Sequence, residues 1–211
     1  MKPLADMAEA VRYARTDHVV LALIASKSTF AVGAGIVSQL PVLATEVFHW
    51  NDGGTGLLLG ARGLGAGLGP IIGSRLVRGD VGRVLRVCGI AGIAFSICYL
   101  ATPWSGSIIV TAGLVALAHL GGGSQWTLST YGLQLRTPDH IRGRVMAGDF
   151  AIVTLVMSIT GLLAGVVSQQ FDVQTTITAF ALAAFVAGLV YLRAVQPIVR
   201  GLAAASSSDP A

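Results

Sequence analysis

Six apolar blocks run along this 211-residue chain, and basic residues fill only every second gap between them. With a window of about 19 residues, the blocks cover 19–47, 55–77, 85–101, 108–131, 145–167 and 175–195. The gaps 48–54, 102–107 and 168–174 contain no Lys or Arg. The other connections, their flanks and the termini carry Lys2, Arg12, Arg15, Arg75, Arg78, Arg83, Arg86, Arg136, Arg142, Arg144, Arg193 and Arg200. Of the 14 basic residues, only Lys27 and Arg62 lie well inside a block. About 20 apolar residues suffice to cross a bilayer as a helix. Positive charge confined to one side of such spans marks the cytoplasm, which places both termini there.

Composition supports the same class. Hydrophobic residues make up 54% and charged residues 11% of the chain, and the mean hydropathy is +0.74. A soluble domain carries about 25% charged residues, so this chain cannot cover a water-facing surface. Disorder and nucleic-acid binding are excluded on the same ground. The sequence pI of 9.5 reports topology and contact with anionic lipid headgroups. The expected fold is an all-α membrane protein of six transmembrane helices.

Three regions follow. Residues 1–18 read as a cytoplasmic amphipathic lead-in, with Leu4, Met7, Ala8 and Val11 at helical spacing. Residues 19–196 form the six-helix domain, and 197–211 read as a low-complexity, disordered tail. Pro41, near the far end of the long first block, predicts a tilt or kink there. Trp50 and Trp104 fall at external ends, where aromatic rings anchor at the interface. Cys88 and Cys98 share the third span, about 15 Å apart along a helix, and read as packing residues.

The second span carries Gly56, Gly60, Gly63, Gly65, Gly67, Gly69 and Gly73. Its spacing fails the G-x-G-x-x-G dinucleotide pattern and fits the small-xxx-small pattern of close helix packing. Gly161 and Gly165 repeat that spacing in the fifth span. Arg62 shares a face with Gly65, Ala66, Gly69 and Gly73, so it points toward protein or a water-filled cavity. It is either a functional cation or a structural contact to another helix. Lys27 lies about 12 Å beyond the start of its span, and the simpler reading has it snorkelling to the interface. If both face one cavity, that cavity is cationic.

Among carboxylates, Glu46 sits near the external end of the first span and Asp149 near the cytoplasmic start of the fifth. The fourth span turns polar with His119, Ser124, Gln125, Trp126, Thr127 and Thr130, and Gly121, Gly122 and Gly123 loosen its middle. Lys27, Arg62, His119 and Gln125 are therefore the candidate substrate-binding residues. No catalytic or metal motif occurs, so neither an enzyme nor a cofactor is expected.

Two turns add a resemblance. The first reads Gly-Ser-Arg-Leu-Val-Arg-Gly-Asp-Val-Gly-Arg over 73–83, and the second Arg-Thr-Pro-Asp-His-Ile-Arg-Gly-Arg-Val-Met-Ala over 136–147. With the lead-in Glu-Ala-Val-Arg-Tyr-Ala-Arg over 9–15, the chain resembles the C-terminal six-helix half of a major facilitator superfamily transporter. The subgroup it looks most like is the enterobactin-exporter and macrolide-efflux type, for which the second turn is typical.

The resemblance implies alternating access with substrate held between two halves. It implies a bacterial inner (plasma) membrane location and efflux of a siderophore-like or drug-like molecule. It also implies a cytoplasmic gate, here Arg75, Arg78, Asp80, Arg83, Arg142 and Arg144, in which Asp80 and its arginines keep the family's charges in shuffled order. The expected partners are a small-molecule substrate, membrane lipid, and a missing N-terminal half or a second copy of the chain, with no nucleic acid. A fragment lacking its N-terminal half is one expectation. The alternative is a transport-incompetent subunit or remnant that acts only by pairing with another chain.

Overall fold

A computed structural model describes residues 3–207, with side chains from 8 to 205. Every regular element among them is helical. The order is α1 (Pro3–Thr16), α2 (His18–Val32), α3 (Gly35–Val42), α4 (Asp52–Val77), α5 (Val81–Ala101), α6 (Ile108–Arg136), α7 (Asp139–Val167) and α8 (Val173–Ser207). Among the described residues six segments are long and apolar enough to span a membrane, the first being the composite His18–Val47. Lys2 lies outside the described residues.

The first span bends earlier than Pro41 predicts. Its helix breaks at Gly33 and Ala34, where i→i−3 hydrogen bonds replace the α-helical ones. A Cβ on Gly33 would sit 2.7 Å from the Phe95 ring, and one on Gly35 would sit 2.5 Å from the Thr160 carbonyl oxygen. Close approach of α5 and α7 therefore sets the bend. Beyond Pro41, which cannot donate a backbone hydrogen bond, the chain widens into a π-helical turn at Leu43–Val47.

The last helix also departs from expectation. α8 continues through Pro197 to Ser207, where a disordered tail is expected from 197. Ala203, Ala204 and Ala205 have the highest helix propensity of any residue type and carry the helix onward. Residues 208–211 of that expected tail lie outside the described set.

α6 is the axis of the bundle, packed against α2, α4 and α5. Its three successive glycines do not loosen it; the helix is continuous there. Successive residues turn by about 100°, so each glycine faces a different neighbour. A Cβ on Gly121 would lie 2.7 Å from the Ala91 carbonyl oxygen, on Gly122 2.6 Å from the Phe30 ring, and on Gly123 2.4 Å from the Ala66 carbonyl oxygen.

The second-span glycines divide in the same way. Gly65 and Gly69 meet the Ala116 and Leu120 carbonyls, where a Cβ would lie at 2.1 and 2.3 Å, and Ser124 Oγ donates to the Gly69 carbonyl at 2.6 Å. Gly56, Gly60, Gly63 and Gly67 face open space, as do Gly161 and Gly165.

Two apolar clusters fill the core. One, around Leu23, Leu85 and Leu133, lies toward the end of the bundle that carries the arginine-rich turns. The other, around Leu40, Phe95, Tyr99 and Val115, lies toward the opposite end. Between them is a layer of buried polar side chains that includes Ser26, Lys27, His119, Gln125 and Asp149. α4 and α7 are the least enclosed spans, with 28% and 17% of their apolar windows buried, against 61% for the first span and 56% for α6.

Candidate functional site

A cavity of about 280 Å³ opens in this middle layer, among α2, α4, α6 and α7. Phe30 and Trp126 form aromatic walls, Met157 closes the α7 side, and Arg62 and His119 supply the polar groups. The Phe30 and Trp126 rings meet edge to face at 6.5 Å, and Phe30 meets Phe95 edge to face in turn at 5.0 Å.

Arg62 lies on the packed face of α4, one turn before Gly65, and is half-buried. Its Nε donates to His119 Nε2 at 3.2 Å. A guanidinium has only donors, so this contact makes Nε2 the acceptor and leaves the imidazole proton on Nδ1. Nδ1 lies 3.2 Å from the Val115 carbonyl oxygen, which can only accept, and 3.3 Å from the Tyr99 hydroxyl. The neutral imidazole is thus a bracket that fixes Arg62 against the cavity wall. Arg62 forms no ion pair among the described residues.

Lys27 does not snorkel. It is 3% exposed, and its Nζ donates to Oδ2 of Asp149, itself 2% exposed. The residues sit nine and ten positions beyond the starts of α2 and α7, two helices that run the same way from the same end. They therefore reach equal depth, about 14 Å in. The Nζ also lies 5.5 Å from the centroid of the Trp126 ring. Asp149 Oδ1 has no hydrogen-bond partner among the described residues. Lys27 is therefore neutralised behind Trp126 and does not add to the cavity's charge.

Gln125 is fully buried beside the cavity, not in its wall. Its amide nitrogen donates to the Ser26 carbonyl and to Thr29 Oγ1, tying α6 to α2. Of the four sequence candidates, then, Arg62 and His119 line the cavity and Lys27 and Gln125 brace the helices behind it. The sequence places Trp126 on a cavity-facing side of α6 with His119, but sequence reasoning missed the Phe30 wall, Tyr99 and the pairing of Asp149. The shared depth of Lys27 and Asp149 is the signal that could have found that pair.

The arginine-rich turns form separate local networks. Arg78 ends α4 with φ 47°, Arg75 is exposed in the last turn of α4, and Asp80 caps α5 by accepting from the Arg83 backbone N–H at 3.1 Å. Arg83 Nε lies 3.4 Å from Asp80 Oδ2. In the second turn Arg142 pairs with Asp139 and donates to the Thr137 carbonyl at 3.2 Å. Arg144 pairs with Glu9 of α1, and Arg136 meets Asp17 at 2.7 Å.

The Arg144–Glu9 pair clamps α1 onto α7, and Arg136 with Asp17 ties the end of α6 to the α1–α2 junction. Ala10 and Ala14 are the buried positions of α1, while Ala8 and Val11 are exposed, so the buried face differs from the one expected. The side chains of Leu4 and Met7 lie outside the described set. The clamp wins because α1 docks on the Ile141 and Val145 side of α7 and follows that surface.

The model of the transmembrane secretion effector family, within the major facilitator superfamily, matches residues 3–210. No curated protein and no solved structure matches the chain. The match spans nearly the whole sequence, so the chain belongs to that family, a family of multi-pass membrane transporters.

Proposed function

We propose that this family member exports a small amphipathic anion by alternating access, as one six-helix half facing a second six-helix bundle. The observation that carries the reading is Arg62. A cation inside a span is costly and marks a functional site by default, and this one is bracketed by a neutral histidine without a countercharge among the described residues. Aromatic walls suit the apolar body of a ligand, and the guanidinium suits its carboxylate, phosphate or catecholate oxygens. A siderophore-like or acidic drug-like molecule has this chemistry.

The weak enclosure of α4 and α7 supports a partner bundle on that side, supplied by an N-terminal half or a second copy of the chain. The same exposure favours a second reading, a subunit that is inert until paired. In both readings the basic end faces the cytoplasm of a bacterial inner membrane, and Arg75, Arg78, Asp80, Arg83, Arg142 and Arg144 belong to the gate there.

Uptake of a labelled catecholate into inverted vesicles tests the proposal. Wild type is expected to accumulate it, Arg62→Ala to lose uptake, and Arg62→Lys to retain part. Full uptake by a correctly inserted Arg62→Ala protein would make Arg62 structural. Uptake that appears only on co-expression with a second six-helix chain would select the subunit reading.

A further inference from the structure

A roomier cavity lies remote from Arg62. It measures about 410 Å³ and lies between α5 and α8 at the basic end. Arg86 and Arg200 stand on its two sides, and Ile90, Leu192, Val195 and Val199 form its floor and walls. A second cavity of about 270 Å³ shares Arg86 and Val199 with it, so the two form one groove. Neither Arg86 nor Arg200 forms an ion pair among the described residues, although both are exposed at the bundle end. Asp80 lines the second cavity, where it is already matched by Arg83 and by its capping bond.

Each helix continues the groove with apolar surface. On α5, Arg86, Ile90 and Ile97 share a face at i, i+4 and i+11, and Ile90 and Ile97 are 60% and 53% exposed. On α8, Arg200 shares a face with Leu189 and Leu182, both exposed. A cationic mouth with an aliphatic track running toward the membrane interior complements an amphiphile whose head is anionic and whose tail is a hydrocarbon chain.

We propose that this groove holds one anionic phospholipid of the surrounding bilayer, its phosphate between Arg86 and Arg200 and an acyl chain along Ile90 and Ile97. The volume exceeds what inorganic phosphate fills and falls in the range of small-molecule sites. The apolar floor has no role for a free anion. The site involves no residue of the Arg62 cavity, so it does not depend on the role given to Arg62.

Native mass spectrometry of the purified chain in neutral detergent tests this, with phosphatidylglycerol, phosphatidylcholine and glycerol 3-phosphate as probes. One phosphatidylglycerol is expected to be retained per chain in preference to phosphatidylcholine, undisturbed by glycerol 3-phosphate at the same concentration. Each arginine near a membrane surface contributes enough for about fivefold in lipid affinity. Arg86→Gln and Arg200→Gln should therefore each weaken retention about fivefold, and the double variant about 30-fold. The Arg86→Lys/Arg200→Lys protein should keep most of it. A charge-matched pair outside the groove, Arg12→Gln with Arg15→Gln on α1, should keep affinity within about threefold.

Equal retention by wild type and both single variants overturns the proposal. So does an equal loss in the Arg12/Arg15 pair, which would reduce the effect to general surface charge. Displacement of the lipid by glycerol 3-phosphate would replace the lipid site with a free-phosphate site.

Discussion

Lys27 and Asp149 stand 122 residues apart in the chain and form a buried ion pair that joins α2 to α7. The pair sits behind Trp126, whose other side faces the cavity. Removing one partner leaves a lone buried charge, which costs about 3–5 kcal/mol, whereas replacing both with apolar residues is often neutral. Lys27→Met and Asp149→Leu are each expected to lower the unfolding midpoint in detergent sharply. The double variant should recover most of the loss. A double variant as unstable as either single would show that the pair is not the source.

Glycines of α4 should divide by face. Gly65→Ala places a methyl 2.1 Å from the Ala116 carbonyl oxygen, so α4 and α6 must separate, at about 1–3 kcal/mol. Gly63→Ala meets nothing within 4 Å and should be neutral or slightly stabilising. Thermal unfolding of the two proteins, two residues apart, checks the packing directly. Equal midpoints would contradict it.

His119 positions Arg62 and does not itself need to touch substrate. His119→Phe removes the acceptor for Arg62 Nε, and the loss of one charged hydrogen bond corresponds to about tenfold in apparent substrate affinity. Because the histidine acts through Arg62, the His119→Phe/Arg62→Ala protein should transport no worse than Arg62→Ala alone. Additive losses would give His119 a separate role.

Outside the spans, Asp172 caps the start of α8. The backbone N–H and hydroxyl of Thr175 hold its carboxyl below the usual range. A depressed folded-state pKa stabilises the fold above the unfolded carboxylate value, near pH 4, and the contribution is lost as pH falls further. Amide exchange at Thr175 and Thr176 should therefore quicken between pH 5 and about pH 3, relative to the intrinsic rate. In Asp172→Asn that extra quickening should vanish.

The span count and the basic face were legible because both are written in local composition: apolar runs of bilayer length, and arginines in alternate gaps. The facing of Arg62 was legible too, since helical geometry alone puts it beside Gly65 and Gly69. What failed were statements needing a second helix. Lys27 reads as either a snorkelling or a cavity cation because its partner lies in another span, and Gln125 reads as substrate-binding because polarity does not say which side of α6 it occupies. Gly121, Gly122 and Gly123 read as weakness because propensity counts the cost of a missing side chain and not the three backbones and rings that fill its place.

The same packing has a temporal side. The three helices that α6 touches through its glycines all precede it in the chain, so they are made before it. α4 must enter the membrane carrying Arg62 while His119 does not yet exist, a burden of about 3 kcal/mol on the insertion scale. During biogenesis Arg62 is therefore a liability that only the arrival of α6 relieves. Any mutation that delays α6, even one far from the cavity, prolongs the interval in which α4 can slip back out of the bilayer.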